Sequence, residues 1–492
     1  MRALYLFLAL LPSLSQAQLS QQVADLQQQY ELLGGTVVTF CADGIQQSIP
    51  FGTANLELNH PVDDSTYFRI ASISKTITAL AVLQLRENGQ LALTDDIGDL
   101  LGYSVRNPNF PDAAITVGQL LTHQSGIVDG STYGDFLGAT YGGNSVPNLS
   151  ELLSETGTYY SSSTFNNLEP GSYFNYSNLN YGILGTLLEA VSGQRFDVYV
   201  RQHLLQPMGI TGSFLVNDLP DLDRLAVLYR KPNGIWTPQS DDLNGVAPDT
   251  TNLIGYLPGT NALRFAPQGG LRVTGPELAQ IFRMLLNGGE YDGTQILQSA
   301  TVDLLSAPHW NYNGSNGNNY YGLFRSWGYG VHRSTDTPNA DLVLPDYPGM
   351  LGHPGEAYGL ISDAYIDREN GFGFVFLTNG SGTGYTTNSN SAFYTVERAL
   401  FDALNTVDWA TTCLVATKSP AKLRPLSFSP NPASELVRVQ GATDTILTVY
   451  GTNGSLLRTE RLHSPQSFSV ATWAAGSYFV RIGDAGGWLV VQ

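Results

Sequence analysis

Ser72 and Lys75 are the residues whose types and spacing could do covalent chemistry, in the stretch Phe68-Arg69-Ile70-Ala71-Ser72-Ile73-Ser74-Lys75-Thr76. Residues three apart on a helix share a face, so a helical turn here brings the Lys75 amine to the Ser72 oxygen. Ser74, the immediate neighbour of Lys75, points elsewhere. A serine hydroxyl is a weak nucleophile at neutral pH, and a lysine withdrawn from water, its pKa lowered from about 10.4, can serve as its base. The free N–H groups and partial positive charge of a helix start favour the negative charge that develops when serine adds to a carbonyl. Standing alone, S-x-x-K is more often a serine N-cap followed by a solvated lysine. Other segments have to decide.

The elements that would position this pair are legible as patterns. From Ser72 to about Asn88, Ile73, Ile77, Leu80, Leu83 and Leu85 fall mostly at helical spacing, and Gly89 supplies a stop. Residues 18–33 predict an N-terminal helix closing at Gly34-Gly35, and the runs 36–41 and 47–52 flank Asp43-Gly44 as a hairpin. A short helix capped by Thr116 is predicted over 114–123, and helices over 177–191 and 196–205. The Gly/Ser/Thr/Asn/Tyr-rich run 126–148 reads as a long surface loop. Residues 217–263 show no sustained period. Thr274-Gly275-Pro276-Glu277 is a capping box opening a helix to Leu286, the runs 358–366 and 371–377 read as a second hairpin, and a helix follows over 392–404. Paired strands near both ends with helices between them predict an antiparallel sheet closed by the first and last helices, plus a helical cluster: an α/β (α+β) sandwich.

The chain of 492 residues is long for one domain, and only 13% of it is charged, with a formal charge of −18. That balance argues against nucleic acid or an anionic membrane as partner. The basic tip, short apolar run and Ser15-Gln16-Ala17 at the start form a secretory signal peptide, residues 1–17, and no later run is long and apolar enough to span a bilayer. The two cysteines, Cys41 and Cys413, exclude a disulfide framework; a single bridge tying the ends of the region between them and a pair of buried thiols both remain open. The seven histidines show no metal-ligand spacing, and no cofactor is called for. After Trp409 the texture changes. Residues 18–412 form one region, 413–425 a linker, and 426–492 a unit of short alternating runs punctuated by Gly454, Gly476 and Gly486, a small all-β sandwich.

Acyl transfer on a Ser/Lys pair also needs a second proton relay and a strand edge for the substrate. Tyr176 and Asn178 stand two residues apart at a predicted helix start, and His353, Gly355 and Glu356 lie in Leu351-Gly352-His353-Pro354-Gly355-Glu356, which precedes the second hairpin. Taken singly, the first is a buried tyrosine beside a cap and the second a turn histidine. Together, in the order Ser72-x-x-Lys75, Tyr176-x-Asn178, His353-x-Gly355, they resemble the three-part signature of the serine β-lactamase and penicillin-binding superfamily. Leu120-Leu121-Thr122-His123-Gln124-Ser125-Gly126-Ile127, Pro170-Gly171, Tyr181-Gly182-Ile183-Leu184-Gly185 and Gly352-His353 resemble its class C β-lactamase, D-alanyl-D-alanine carboxypeptidase and esterase branch, from about Leu33 to Leu404.

The resemblance implies an α/β/α sandwich with the site between an antiparallel sheet and a helical lobe. Ser72 would be acylated, Lys75 and Tyr176 would share the base and acid work, and Asn178 would bind substrate or orient Lys75. His353 and Gly355 would lie on the substrate-binding strand, and the backbone N–H groups of Ser72 and Glu356 would form the oxyanion hole. His123 would brace the site. The implied substrates are small esters, D-amino-acid peptides or β-lactams, and a non-catalytic recognition protein is the reading from another class. Pro354 stands where the family usually has Ser or Thr, which removes a hydroxyl and an N–H and favours an esterase or peptidase over a β-lactamase. Residues 426–492 resemble the sorting domain of the type IX secretion system through Asn431-Pro432-Ala433-Ser434, Val449 to Gly454 and Gly476 to Ile482, which implies the secretion machinery as partner and a secreted or outer-surface location. A carbohydrate-binding sandwich using Trp473 and Trp488 is the competing reading of that unit.

Overall fold

Val37 and Val38 are neighbours in sequence, and each is fully buried on a different face of one sheet, because side chains alternate along a strand. That alternation sets the architecture. The computed structural model describes residues 17–413, 424–440, 446–450, 456–461, 467–482 and 485–491. The signal-peptide expectation lies outside the described residues apart from Ala17, as does most of the predicted linker. The chain divides into two compact units, Met1–Val415 and Ala416–Gln492.

The first unit is a mixed α/β structure built on a nine-stranded antiparallel sheet. Its strands are β1 (Gly34–Cys41), β2 (Gly44–Asn55), β3 (His60–Pro61), β4 (Trp310–Asn311), β5 (Ser326–Trp327), β6 (His332–Arg333), β7 (Leu351–Ala357), β8 (Leu360–Asp367) and β9 (Phe372–Thr378). They lie side by side as β4-β5-β6-β7-β8-β9-β1-β2-β3. On one face α1 (residues 17–29) and α5 (Thr395–Asn405) bury Leu19, Val23, Leu400 and Phe401 against Val37, Phe374 and Phe376. On the other, α4 (Gly275–Leu286) packs Ile281 and Phe282 against Val38, Val375 and Leu377, and the same core continues through α2 (Ser74–Glu87) and α3 (Asn178–Ser192). Phe401 meets the rings of Phe374, Phe393 and Tyr365 with centroids 5.0–6.2 Å away, and truncating it to alanine should cost about 3–5 kcal/mol.

Local signals explain several element ends. The Thr274 hydroxyl accepts from Glu277 N at 3.2 Å and the Glu277 carboxylate accepts from Thr274 N at 3.1 Å, the reciprocal box that opens α4. Gly193, at φ +70°, closes α3 in the left-handed conformation that suits glycine.

Elsewhere tertiary packing overrules the pattern. The N-terminal helix stops at residue 29, and Gly34-Gly35 belong to β1, where a Cβ on Gly35 would lie 2.3 Å from the Leu377 carbonyl. The close approach of the neighbouring strand, rather than a helix stop, requires glycine there. The expected helix over 114–123 is the shorter Val117–Leu121, with Thr116 and Gln119 forming its capping box. Helix 196–205 is α-helical only over Phe196–Val200 before loosening into a π turn. The run 126–148 is not all loop: Tyr133–Gly142 is a helix that buries Phe136, its periodicity hidden by Gly134 and Gly138. The stretch 351–357 is itself a strand, paired along its length with β8 but with β6 only at Leu351 and Gly352. Pro354 therefore takes its place in β7 on the side where no ladder hydrogen bond is required.

Cys41, at the end of β1, is bonded to Cys413, with their Cα atoms 5.6 Å apart. Among its described residues the second unit is all-β. A five-stranded sheet runs in the order Arg424–Pro425, Ala485–Val491, Gly476–Ile482, Ile446–Tyr450, Leu456–Arg461, and a three-stranded one joins Ser427–Ser429, Leu436–Gln440 and Ser467–Ser469. Val437, Leu447, Val480, Ile482 and Leu489 form its core, and Trp473 stacks on Phe468 at 5.7 Å.

Candidate active site

Ser72 sits in a tight 3-10 turn, Ala71–Ile73, that runs directly into α2 at Ser74, so the nucleophile candidate precedes the α-helix by one turn rather than opening it. Ala71 takes φ +45°, an uncommon conformation for a residue with a side chain. Helix α2 is buried on nearly every side, from Ser74 to Leu85, which puts Lys75 inside the protein at 0% exposure. Its Nζ donates to Ser72 Oγ at 3.0 Å, Asn178 Oδ1 at 2.9 Å and the Gln268 carbonyl at 2.8 Å. Three acceptors satisfy its three donors. Burial lowers its pKa to about 7, partly opposed by the negative charge of Asp129. Ser74 faces away, its hydroxyl accepting from Leu271 N at 3.1 Å.

Tyr176 is held from both sides by His123. The His123 carbonyl accepts from Asn175 N at 2.8 Å, and its Nδ1 accepts from Ser177 N at 3.2 Å. An accepting Nδ1 places the proton of a neutral ring on Nε2, and burial, Lys75 and His353 hold this imidazole well below its ordinary pKa. The Tyr176 ring stacks on Phe324 at 5.1 Å, its hydroxyl engages Ser72, and Lys75 Nζ lies 4.8 Å from its centroid. Burial pushes the phenol pKa well up, so it keeps its proton at neutral pH.

Asn178 is the first residue of α3, and what orients it is Asp129. The Asp129 carboxylate accepts from Asn178 Nδ2 at 2.9 Å, Asn178 N at 3.2 Å, Leu179 N at 2.9 Å and Ser177 Oγ at 2.9 Å. It caps α3 from a distant segment, and by engaging the Asn178 amide nitrogen it turns the amide oxygen toward Lys75. Sequence reading passed over Asp129 because it lies in the glycine-rich run, and over Gln268 because only its backbone carbonyl takes part.

The remaining wall is β7. Gly355 lies against the Ser72 turn so closely that a Cβ there would be 2.7 Å from the Ile70 carbonyl and 3.2 Å from Ser72 N. The Ser362 hydroxyl, between the carbonyls of Ile70 (3.1 Å) and Gly355 (3.2 Å), ties strand to turn. His353 is fully buried with its pKa well below the ordinary range, by burial first and by Lys75 second, so this ring too is neutral. Ser72, Tyr176, Asn178, His353, Gly355 and Glu356 all line one cavity of about 660 Å³, with Lys75 directly behind Ser72. A hydroxyl with a near-neutral amine 3.0 Å away, a protonated phenol and a strand at its side is an arrangement that can activate an oxygen nucleophile and return a proton.

Comparison with known proteins agrees with this geometry. Residues 19–392 match the family model described as Beta-lactamase, and 427–491 match the Secretion system C-terminal sorting domain, which indicates export to the cell surface or beyond. Penicillin-binding protein 4 of Amycolatopsis lactamdurans is 24% identical over 366 residues, 72% of this chain and 83% of that protein. In fold, the first unit resembles EstCE1, a hydrolase with promiscuous acyltransferase activity (TM-score 0.59, 21% identity, 80% of this chain and 100% of that one). It also resembles the D-alanine carboxypeptidase AmpC from Burkholderia cenocepacia (TM-score 0.53, 19% identity, 80% and 99%). The chain belongs to the Beta-lactamase family of β-lactamase-fold serine hydrolases.

Proposed function

We propose that the protein is an exported serine hydrolase that works through an acyl-enzyme on Ser72 and acts on esters or D-amino-acid peptides. The observation that carries this reading is the buried Lys75 amine 3.0 Å from Ser72 Oγ. With a pKa near 7 it is substantially neutral at working pH, so it can take the serine proton as Oγ adds to the substrate carbonyl. The developing oxyanion lies between the N–H groups of Ser72 and Glu356, where the strand closes on the turn. Tyr176, kept protonated by burial, delivers a proton to the leaving group, and Lys75 replenishes it. Water then enters by the reverse path and releases the acid. Asn178 fixes the Lys75 amine in line with Ser72. His353 and Gly355 form the edge along which the substrate lies.

Ester hydrolysis is the fastest of the family's reactions here. Pro354 leaves β7 without the hydroxyl that would grip the carboxylate of a β-lactam or of a D-alanyl terminus, and His353 beside it is neutral. The alternatives are a true β-lactamase or D,D-carboxypeptidase, and a recognition protein without turnover. Mass spectrometry of the intact protein after a fluorophosphonate tests the core of the proposal: one covalent adduct on the peptide carrying Ser72 is expected, and a folded protein with no adduct there overturns it. Side-by-side kcat/KM on short acyl esters, D-alanyl peptides and penicillins then ranks the substrates.

A further inference from the structure

One side of the cavity is formed by a loop that the hydrolytic mechanism does not use. Gly317 and Asn318 run parallel to Phe174 and Asn175, immediately before Tyr176, and Phe174 N donates to the Asn316 carbonyl at 3.0 Å. The next residue, Asn319, closes a turn: its side chain accepts from Gly322 N at 3.1 Å and its carbonyl from Phe324 N at 2.9 Å. Within that turn Tyr320 and Tyr321 take successive left-handed conformations, φ +53° and +59°, which bulky residues seldom adopt and which cost free energy at each position. The Tyr320 ring meets those of Tyr176 and Phe324, with centroids 5.9 and 5.6 Å away. The Tyr321 ring lies 6.0 Å from that of Tyr320, turned by 64°, and the residue is 96% exposed. A ring so wet adds nothing to the core, so no packing of its own offsets the strain that presents it. Both tyrosines line the cavity that holds Ser72 and Tyr176.

Position decides which end of a substrate meets these rings. The Tyr176 hydroxyl engages Ser72 while its ring packs on Tyr320, so a group departing from the carbonyl at Ser72 toward the phenol moves onto Tyr320 and then Tyr321. Their faces suit a flat ring, which gains from aromatic packing beyond the area it buries. Charge selects as well. Among the described residues, Glu356 and Glu397 line the cavity and no lysine or arginine does, so an anionic group finds no countercharge there.

We propose that Tyr320 and Tyr321 form the leaving-group subsite and select esters of uncharged aromatic alcohols, the departing ring lying against the two tyrosines while its carbonyl lies at Ser72. This deepens the hydrolase reading and rests on it for the roles of Ser72 and Tyr176. As Ser72 Oγ bonds to the carbonyl carbon and the ester C–O bond breaks, the alcohol takes its proton from Tyr176 and leaves across the Tyr320 ring. Water then releases the acid from Ser72.

The test reads kcat/KM of the full-length protein on 2-phenylethyl butyrate against ethyl butyrate, which share an acyl group and have alcohols of similar acidity. A preference of about tenfold or more for the phenylethyl ester is expected, and 2-(4-carboxyphenyl)ethyl butyrate should lose most of it. Tyr321→Ala should lower the ratio by about three- to tenfold and Tyr321→Phe should keep it, because the ring rather than the hydroxyl makes the contact. The ratio is read within each variant, so any general loss cancels. Ethyl phenylacetate against ethyl butyrate puts the ring on the acyl side instead, and that ratio should not respond to Tyr321→Ala. A wild-type preference near one, an equal rate on the carboxylate ester, a Tyr321→Phe variant as poor as Tyr321→Ala, or a response confined to the acyl-side pair overturns the proposal. A binding measurement keeps this independent of turnover. By NMR titration, Ser72→Ala should bind 2-phenylethanol at least about threefold more tightly than Ser72→Ala/Tyr321→Ala does. Binding that ignores Tyr321, or none, sinks the subsite even if esters are hydrolysed; binding that depends on Tyr321, with no fluorophosphonate adduct on Ser72 of the wild type, leaves the subsite standing and removes the hydrolase.

Discussion

Two walls of one cavity treat buried charge in opposite ways. Behind Ser72, Lys75 is fully buried with an acceptor for each of its protons, and Asn178, which supplies one of them, is itself held by Asp129. On the far side, Asp363 and Glu397 are buried against each other and share a hydrogen bond, and burial holds both well above the usual carboxylate range. In the first, desolvation brings the amine to about 7 while the hydrogen bonds keep it in place, which suits it to the base role proposed for it. The second sets two acids against each other, so that desolvation favours keeping a proton on the pair.

The largest expected effect separates the walls directly. Lys75→Ala should reduce ester turnover to the uncatalysed background with folding retained by circular dichroism, and turnover near wild type would remove the base from the first wall. Tyr176→Phe should lower kcat by about 10²–10⁴-fold, the range for a positioned acid or base. A loss confined to KM would make the phenol a binding group instead.

The pH profile sharpens the contrast. With the neutral amine as the proposed base, kcat/KM on an uncharged ester should fall about tenfold per pH unit below about 7 and level off above it. Asp129→Asn removes a charge that raises the Lys75 pKa, so the acid limb should move to lower pH. It also loosens the Asn178 amide, for a loss of about tenfold in kcat, the factor corresponding to one hydrogen bond of roughly 1.4 kcal/mol. An unmoved limb would reduce Asp129 to a helix cap.

The smallest effect belongs to the second wall and is one of stability. Glu397 has its folded pKa raised above the unfolded value, so its contribution is fully present in acid and is lost as pH rises through the folded pKa. Glu397→Gln should therefore melt at about the wild-type temperature in acid and about 1 °C higher at alkaline pH, the shift that roughly 1 kcal/mol gives in a unit of this size. The same offset at every pH would show that Glu397 does not change its proton occupancy on folding.

Several parts of the site needed no structure to find. Ser72 and Lys75 meet because three residues along a helical turn return to the same face, and the 3-10 turn at Ser72 preserves that meeting. The box at Thr274 and Glu277 starts α4 as its residue types require, and the alternating runs around 360–378 pair as a hairpin. These are short-range consequences of side-chain chemistry and periodicity, and they are written in neighbouring residues. Their order along the chain also carried Tyr176, Asn178, His353 and Gly355 into one group, which the fold gathers around one cavity.

What the tertiary structure decided are the relations that have no local pattern. The union of Cys41 with Cys413, left open by composition, depends on the ends of β1 and of the first unit meeting in space. Gly34-Gly35 read as a helix stop until a neighbouring strand was seen to need their missing side chains, and the helix over Tyr133–Gly142 took its core face from Phe136 against a glycine-rich background. Asp129 reaches α3 from 49 residues away, the Gln268 carbonyl reaches Lys75 across 193, and Asp363 and Glu397 become a pair only because α5 packs across β8. A backbone carbonyl carries no residue type, and a carboxyl gives no sign in sequence of whether water or another carboxyl will face it. Both are settled when the chain closes on itself and desolvates them.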